Sequence, residues 1–217
     1  MASAPKPFIF QSKEQLRAEV GSRLNRKAYK DFFSQDFQDL GEVVKESVAS
    51  NTFRAFHWKK HNIGDTPSRF YRRWTNALLS KSYPAFLGCS DPKDYQTLLI
   101  QSAKRLVKDW DKTTSGLHQL QFGQAAKLLN LSFKHALLFG SKVDSENRER
   151  LCQFLDIPLD SFTLRGVMKL CPNFGIPNSA TMSFVKSEIH YKALQKAIRD
   201  LCASTVGLPP IYYEIRA

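Results

Sequence analysis

The chain has 217 residues, with 32 lysines and arginines against 20 aspartates and glutamates, a net charge of +12 and a pI near 9.6. Hydrophobic residues make up 42% and charged residues 24%, so a disordered tail is excluded and one folded unit over residues 1–217 is expected. No run approaches the ~20 apolar residues that cross a bilayer, and Met1 to Pro7 offers no apolar signal segment, which predicts a cytoplasmic protein with no membrane contact.

The basic excess is spread along the body: residues 1–110 hold 19 basic and 11 acidic side chains, residues 111–217 hold 13 and 9. A fixed field of this sign attracts phosphate backbones, so nucleic acid is the expected partner; the alternative is a basic surface that is merely solvated. In chain order, Ser12 and Gln15 have capping-box spacing before a helix running towards Val20. Around Phe37 to Val48, Leu40, Val43, Val44 and Val48 share one helical face. Phe53 to Trp58 is ambiguous between helix and strand. Thr66-Pro67 is an N-cap followed by proline, opening a helix with Phe70, Trp74, Ala77 and Leu78 inward and Arg69, Arg72 and Arg73 elsewhere. Asp91-Pro92 repeats the device before a stripe of Tyr95, Leu98, Leu99, Leu106 and Trp110, with Lys104, Arg105 and Lys108 towards the other side. Near the end, Val185, Ile189, Ala193, Leu194, Ala197, Ile198 and Leu201 form an amphipathic pattern stopped by Gly207 and Pro209-Pro210. Strand signals are few, and an all-α fold follows. Cys89, Cys152, Cys171 and Cys202 are widely spaced without a CxxC pair, so neither a metal knuckle nor a disulfide framework is expected.

Residues 115–170 stand apart. Gly116 and Gly123 bracket a short segment, and Gln124 to Phe139 reads as a helix apolar around most of its circumference, hence central and buried. Lys127, Asn130 and Lys134 form a narrow polar stripe along it. Lys127 falls in the predicted first turn, where the helix dipole disfavours an ammonium; either a neutral, nucleophilic amine or a lysine snorkelling to solvent would satisfy the pattern. Downstream, Pro158 favours an extended approach and Asp160 stands where an N-cap would open a helix containing Phe162, Leu164 and Val167.

Together the two segments resemble the helix-hairpin-helix DNA glycosylase superfamily, over about a quarter of the chain. Its signature is a glycine-containing hairpin, a lysine at the start of the next helix, an apolar helix, then Pro-Val-Asp and a helix with an arginine shortly after. Here the residues read Leu120-Gln121-Phe122-Gly123-Gln124-Ala125-Ala126-Lys127, then Ile157-Pro158-Leu159-Asp160, with Arg165 following. Gly123 stands alone where the family hairpin usually carries two glycines. The 33 positions from Lys127 to Asp160 are nearer the archaeal-type 8-oxoguanine branch than most members.

The resemblance implies a two-lobed helical glycosylase-like fold with Lys127 as nucleophile and Asp160 as essential acid. The carboxylate would stabilise positive charge on the sugar, and the amine would add to the anomeric carbon as a Schiff base permitting strand cleavage. It implies excision of a modified base from DNA, by a monomer without cofactor or metal. The base would be an oxidised purine, or a bulky modified cytosine such as glucosylated hydroxymethylcytosine of phage DNA, in an enzyme of host defence. The expected DNA contacts are Gly123, Gln124, Asn130, Lys134, Arg165, Arg72 and Arg73. Phe56, His57 and Trp58, beside Lys59-Lys60, are candidates to wall a pocket for the extruded base. His57 and His61 lie at i, i+4 but have no third ligand in register, so no zinc site is expected. The rivals are a non-catalytic nucleic-acid-binding protein and a basic nuclease; the latter needs clustered carboxylates, for which Asp36 and Asp39 are the candidates.

Overall fold

The computed structural model describes residues 12–15, 17–18, 39–48, 52–53, 56, 58, 63–140, 143–205 and 207–211. These form an all-α fold. Its helices are α1 (Leu40–Ser47), α2 (Pro67–Leu87), α3 (Pro92–Thr114), α4 (Phe122–Phe139), α5 (Ser145–Cys152), α6 (Ser161–Leu170) and α7 (Glu188–Thr205), with short 3-10 turns at Pro172–Phe174 and Met182–Phe184. Among the described residues there is no strand beyond an isolated bridge at Gly140, and no helix long and apolar enough to cross a membrane.

The helix starts follow from side-chain caps. Ser12 Oγ accepts from the Gln15 amide at 3.1 Å, and Thr66 Oγ1 from Arg69 at 3.2 Å. Asp91 Oδ1 accepts from Lys93 and Asp94 at 2.7 and 2.8 Å. Each satisfies backbone donors that a helix's first turn leaves unpaired. At the other end of the chain, Gly207 turns at φ +68° and returns its N–H to Cys202 O at 3.0 Å, stopping α7.

Helix α4 is the axis of the fold: thirteen of its eighteen residues are buried. Helices α1, α2 and α3 pack against it. It is held by hydroxyls as well as apolar contact. Tyr71 donates to Leu128 O and Tyr83 to Ala136 O, both at 2.7 Å, while Ser132 Oγ bonds Tyr71 Oη at 2.8 Å and Ser47 Oγ at 2.9 Å. These phenols rotate α2 away from the inward face expected of it. Phe70 and Leu78 are buried, but Tyr71, Thr75, Leu79 and Tyr83 join them, Ala77 is exposed, and Trp74 is half-buried with Nε1 donating to Asp109 at 2.8 Å. A tyrosine enters a core once its hydroxyl finds an acceptor there, which periodicity cannot reveal.

Helix α7 departs in the same way. Val185 is buried but precedes the helix; Leu194, Ile198 and Leu201 face inward, whereas Ile189 is 81% exposed and Ala193 is exposed too. Their places are taken by Tyr191 and Gln195.

Gly123, expected at a DNA contact, is a packing residue instead. A Cβ there would lie 2.2 Å from Met182 O and 2.6 Å from Val185 O, so the 182–185 turn seats directly on the start of α4. Because backbone must move to make room, Gly123→Ala is expected to cost about 2–3 kcal/mol. Urea unfolding that gives the two proteins the same midpoint would show that the turn yields freely.

Candidate functional site

Lys127 and Asp160 converge. Lys127 Nζ lies 3.8 Å from Asp160 Oδ2, with side chains 15% and 21% exposed. Two residues 33 positions apart thus meet at the protein's edge, shielded but reachable.

The local structure explains how each is held. Helix α4 begins at Phe122, two residues earlier than expected, behind Gln121, whose N–H donates to Gln124 Oε1 at 2.9 Å. Lys127 is therefore the sixth helical residue rather than a first-turn one. The helix dipole acts on it only weakly there, since the effect fades beyond the first turn. Asp160 caps α6. Its Oδ1 accepts from the amides of Phe162 and Thr163, both at 3.0 Å, which leaves Oδ2 towards Lys127. One carboxylate divides its oxygens between fold and ion pair.

The rest of the predicted stripe does not join them. Asn130 is fully buried, and its Nδ2 donates to Tyr191 Oη at 2.8 Å; Lys134 is only 5% exposed. Neither is available to a phosphate, a correction that follows from the packing that closes over α4 at these two positions. Arg165 stays on its own helix, its Nε donating to Ser161 O at 2.9 Å and its guanidinium 4.8 Å from the Phe162 ring. Gln124 is half-buried. Arg73 is exposed but paired with Asp65 at 2.9 Å, and Arg72 is half-buried. Phe56 and Trp58 are core residues: they meet Trp110 edge to face with ring centroids at 5.0 and 4.7 Å, and Trp110 is itself buried, so they cannot receive an extruded base. His57, Lys59, Lys60, His61 and Asp36 lie outside the described residues. Asp39 sits at the N-cap position of α1, and no three His, Cys, Asp or Glu side chains converge among the described residues. Burial pushes the Cys152 thiol up to about 11 and that of Cys202 to about 12, so neither supplies a thiolate near neutral pH.

A surface cleft of about 300 Å³ was not foreseen from the sequence. It is lined by Lys104, Val107, Lys108 and Asp111 of α3 and by Gln119 and Leu120 just before α4. On one side Glu188 takes Lys104 at 2.5 Å and Lys192 at 2.6 Å, and those hydrogen bonds, Lys104's first, hold its carboxyl down at about 2. Lys104, Lys108 and Lys112 recur every four residues along the exposed face of α3, the one hint the sequence carried.

Compared with known proteins, the chain matches no family model, no curated protein and no solved structure. The pair must be judged on its geometry. A carboxylate and an amine side by side, half-shielded, can stabilise a cation and attack a carbon; they can equally be a cap with a lysine folded over it. Substitution separates the two roles. Asp160→Ala removes cap and charge and should destabilise by about 1 kcal/mol, whereas Asp160→Asn keeps an acceptor for both amides and should cost only a few tenths. Thermal melts in which Asn is as damaging as Ala would make the ion pair, not the cap, the structural contribution.

Proposed function

We propose that this chain is a DNA glycosylase that removes a modified base and cleaves the resulting abasic sugar through Lys127, working as a monomer in the cytoplasm. The observation that carries the reading is the approach of Lys127 to Asp160, 3.8 Å apart, two residues that stand out in the sequence for separate reasons. As the glycosidic bond breaks, its electron pair leaves with the base and positive charge gathers on the sugar, where the Asp160 carboxylate stabilises it. The Lys127 nitrogen bonds to the anomeric carbon, its proton passing to the departing base; ring opening then gives the imine from which the 3′ phosphate is eliminated. The base is an oxidised purine or a bulky phage-type cytosine, giving a role in repair or in defence.

Borohydride reads the imine directly. Wild type should be trapped on a duplex carrying the right modified base, Lys127→Gln should not, and Asp160→Asn should lose about 10²–10³ in excision rate with DNA affinity retained. Full excision by both variants would remove the assignment.

The exposed lysines of α3 favour a second reading, a nucleic-acid-binding protein without chemistry. The two share one expectation, that affinity for plain duplex falls linearly with salt on a log–log plot. Lys108→Glu should make that slope shallower by about 0.9 for each phosphate it leaves unneutralised. Binding that ignores salt would sink both. Salt-dependent binding without excision of any modified base would leave the second.

A further inference from the structure

Helix α7 turns a polar stripe inward. Tyr191, Gln195 and Arg199 follow one another at four-residue intervals, and all three reach the segment that leads into Asp160. Gln195 brackets Ile157, donating to its carbonyl at 2.7 Å and accepting from its amide at 3.3 Å. Arg199 donates to the carbonyls of Gln153 and Phe154 at 3.1 and 2.6 Å and to Asp156 Oδ1 at 2.6 Å. Tyr191 Oη donates to Asp156 Oδ2 at 2.9 Å, an oxygen that Gln96 also reaches at 3.1 Å.

The Tyr191 hydroxyl has a second task. It accepts from Asn130 Nδ2, and Asn130 stands one turn beyond Lys127 on α4. Asp156 stands four residues before Asp160. A single hydroxyl thus joins the helix that carries the amine to the segment that carries the acid. Burial, and then the Asp156 charge, raise the phenol well above its ordinary range, so it stays protonated and keeps donating at every working pH. The other phenols on α4, those of Tyr71 and Tyr83, tie it to α2 and leave the Asp160 side untouched.

We propose that Tyr191 is a positioning residue, whose hydroxyl bridges Asn130 and Asp156 and thereby holds Asp160 opposite Lys127. The proposal rests on the reading of Lys127 and Asp160 as the reacting pair and names what aligns them. The bridge acts on the spacing of two groups and touches neither. Its loss should therefore change the rate at saturation and the accessibility of the Lys127 amine while leaving DNA affinity alone.

Tyr191→Phe deletes the hydroxyl and keeps the ring, with its edge contact to Phe122 at 5.9 Å. Asn130→Ala breaks the bridge from the other side and serves if Tyr191→Phe does not fold. Tyr83→Phe is the matched control, since it deletes another buried hydroxyl bond to the same helix, 2.7 Å to Ala136 O. Two readouts are taken on the full chain. One is acetylation of Lys127 by an N-hydroxysuccinimide ester, followed by peptide mass spectrometry. The other is borohydride trapping on a duplex with an abasic site, which needs no knowledge of the base. The bridge variants should acetylate about threefold faster and trap about tenfold slower at saturating duplex, with half-saturation unchanged; Tyr83→Phe should do neither. Unchanged acetylation in the bridge variants, or equal effects in Tyr83→Phe, would overturn the proposal. Faster acetylation in a protein whose wild type never traps would uphold the bridge and defeat the imine step assigned to Lys127. Trapping in wild type that the bridge variants leave intact would do the reverse.

Discussion

The carboxylate of Asp156 has no exposed surface, and a polar group taken out of water must be met by hydrogen-bond partners. Arg199, Tyr191 and Gln96 supply them, from α7 and α3. To do so they must lie where they do: α7 must turn a polar stripe inward, and the segment from Gln153 to Ile157 must run within reach of it. The exit of that segment is Asp160. The position of Asp160 thus follows from partnering one buried carboxylate four residues earlier.

Helix α4 supplies the other half by different means. It is apolar on nearly every side, and its place is set by close packing and by tyrosine hydroxyls on its carbonyls. Gly123 lets the 182–185 turn lie on its first turn, so the chain that enters α7 is seated on the helix that carries Lys127. Sequence-distant pieces reach the Lys127 side through close packing, backbone contact and tyrosine hydroxyls, and the Asp160 side chiefly through side-chain hydrogen bonds to the segment before it.

This division explains what could be read in the sequence. The apolar helix, the caps at Thr66 and Asp91 and the stop at Gly207 are local, written in neighbouring residues, and the structure has them. Lys127 and Asp160 stood out because a local irregularity marked each: a cation on an apolar helix, an acid behind a proline. Asn130 and Lys134 shared the same stripe yet are buried, and Phe56 and Trp58 lie in the core. Whether a polar or aromatic side chain faces water depends on partners far along the chain, such as Tyr191 for Asn130 and Trp110 for Trp58. Tyr191, Gln195 and Arg199 were invisible for the same reason; their four-residue spacing looks like a solvated face until Asp156 is placed beneath it.

The division of labour within Asp160 reaches beyond stability. With Oδ1 fixed by two amides of α6, the carboxyl group cannot turn about its own bond, so its torsional entropy is already lost when the chain folds. Oδ2 is preorganised: charge that develops beside it meets a lone pair that need not reorient. A glutamate at the same place would bring the same charge on a longer, freer stem and could not hold both amides at this reach. What distinguishes aspartate here is stiffness, lent to the carboxylate by the helix it begins.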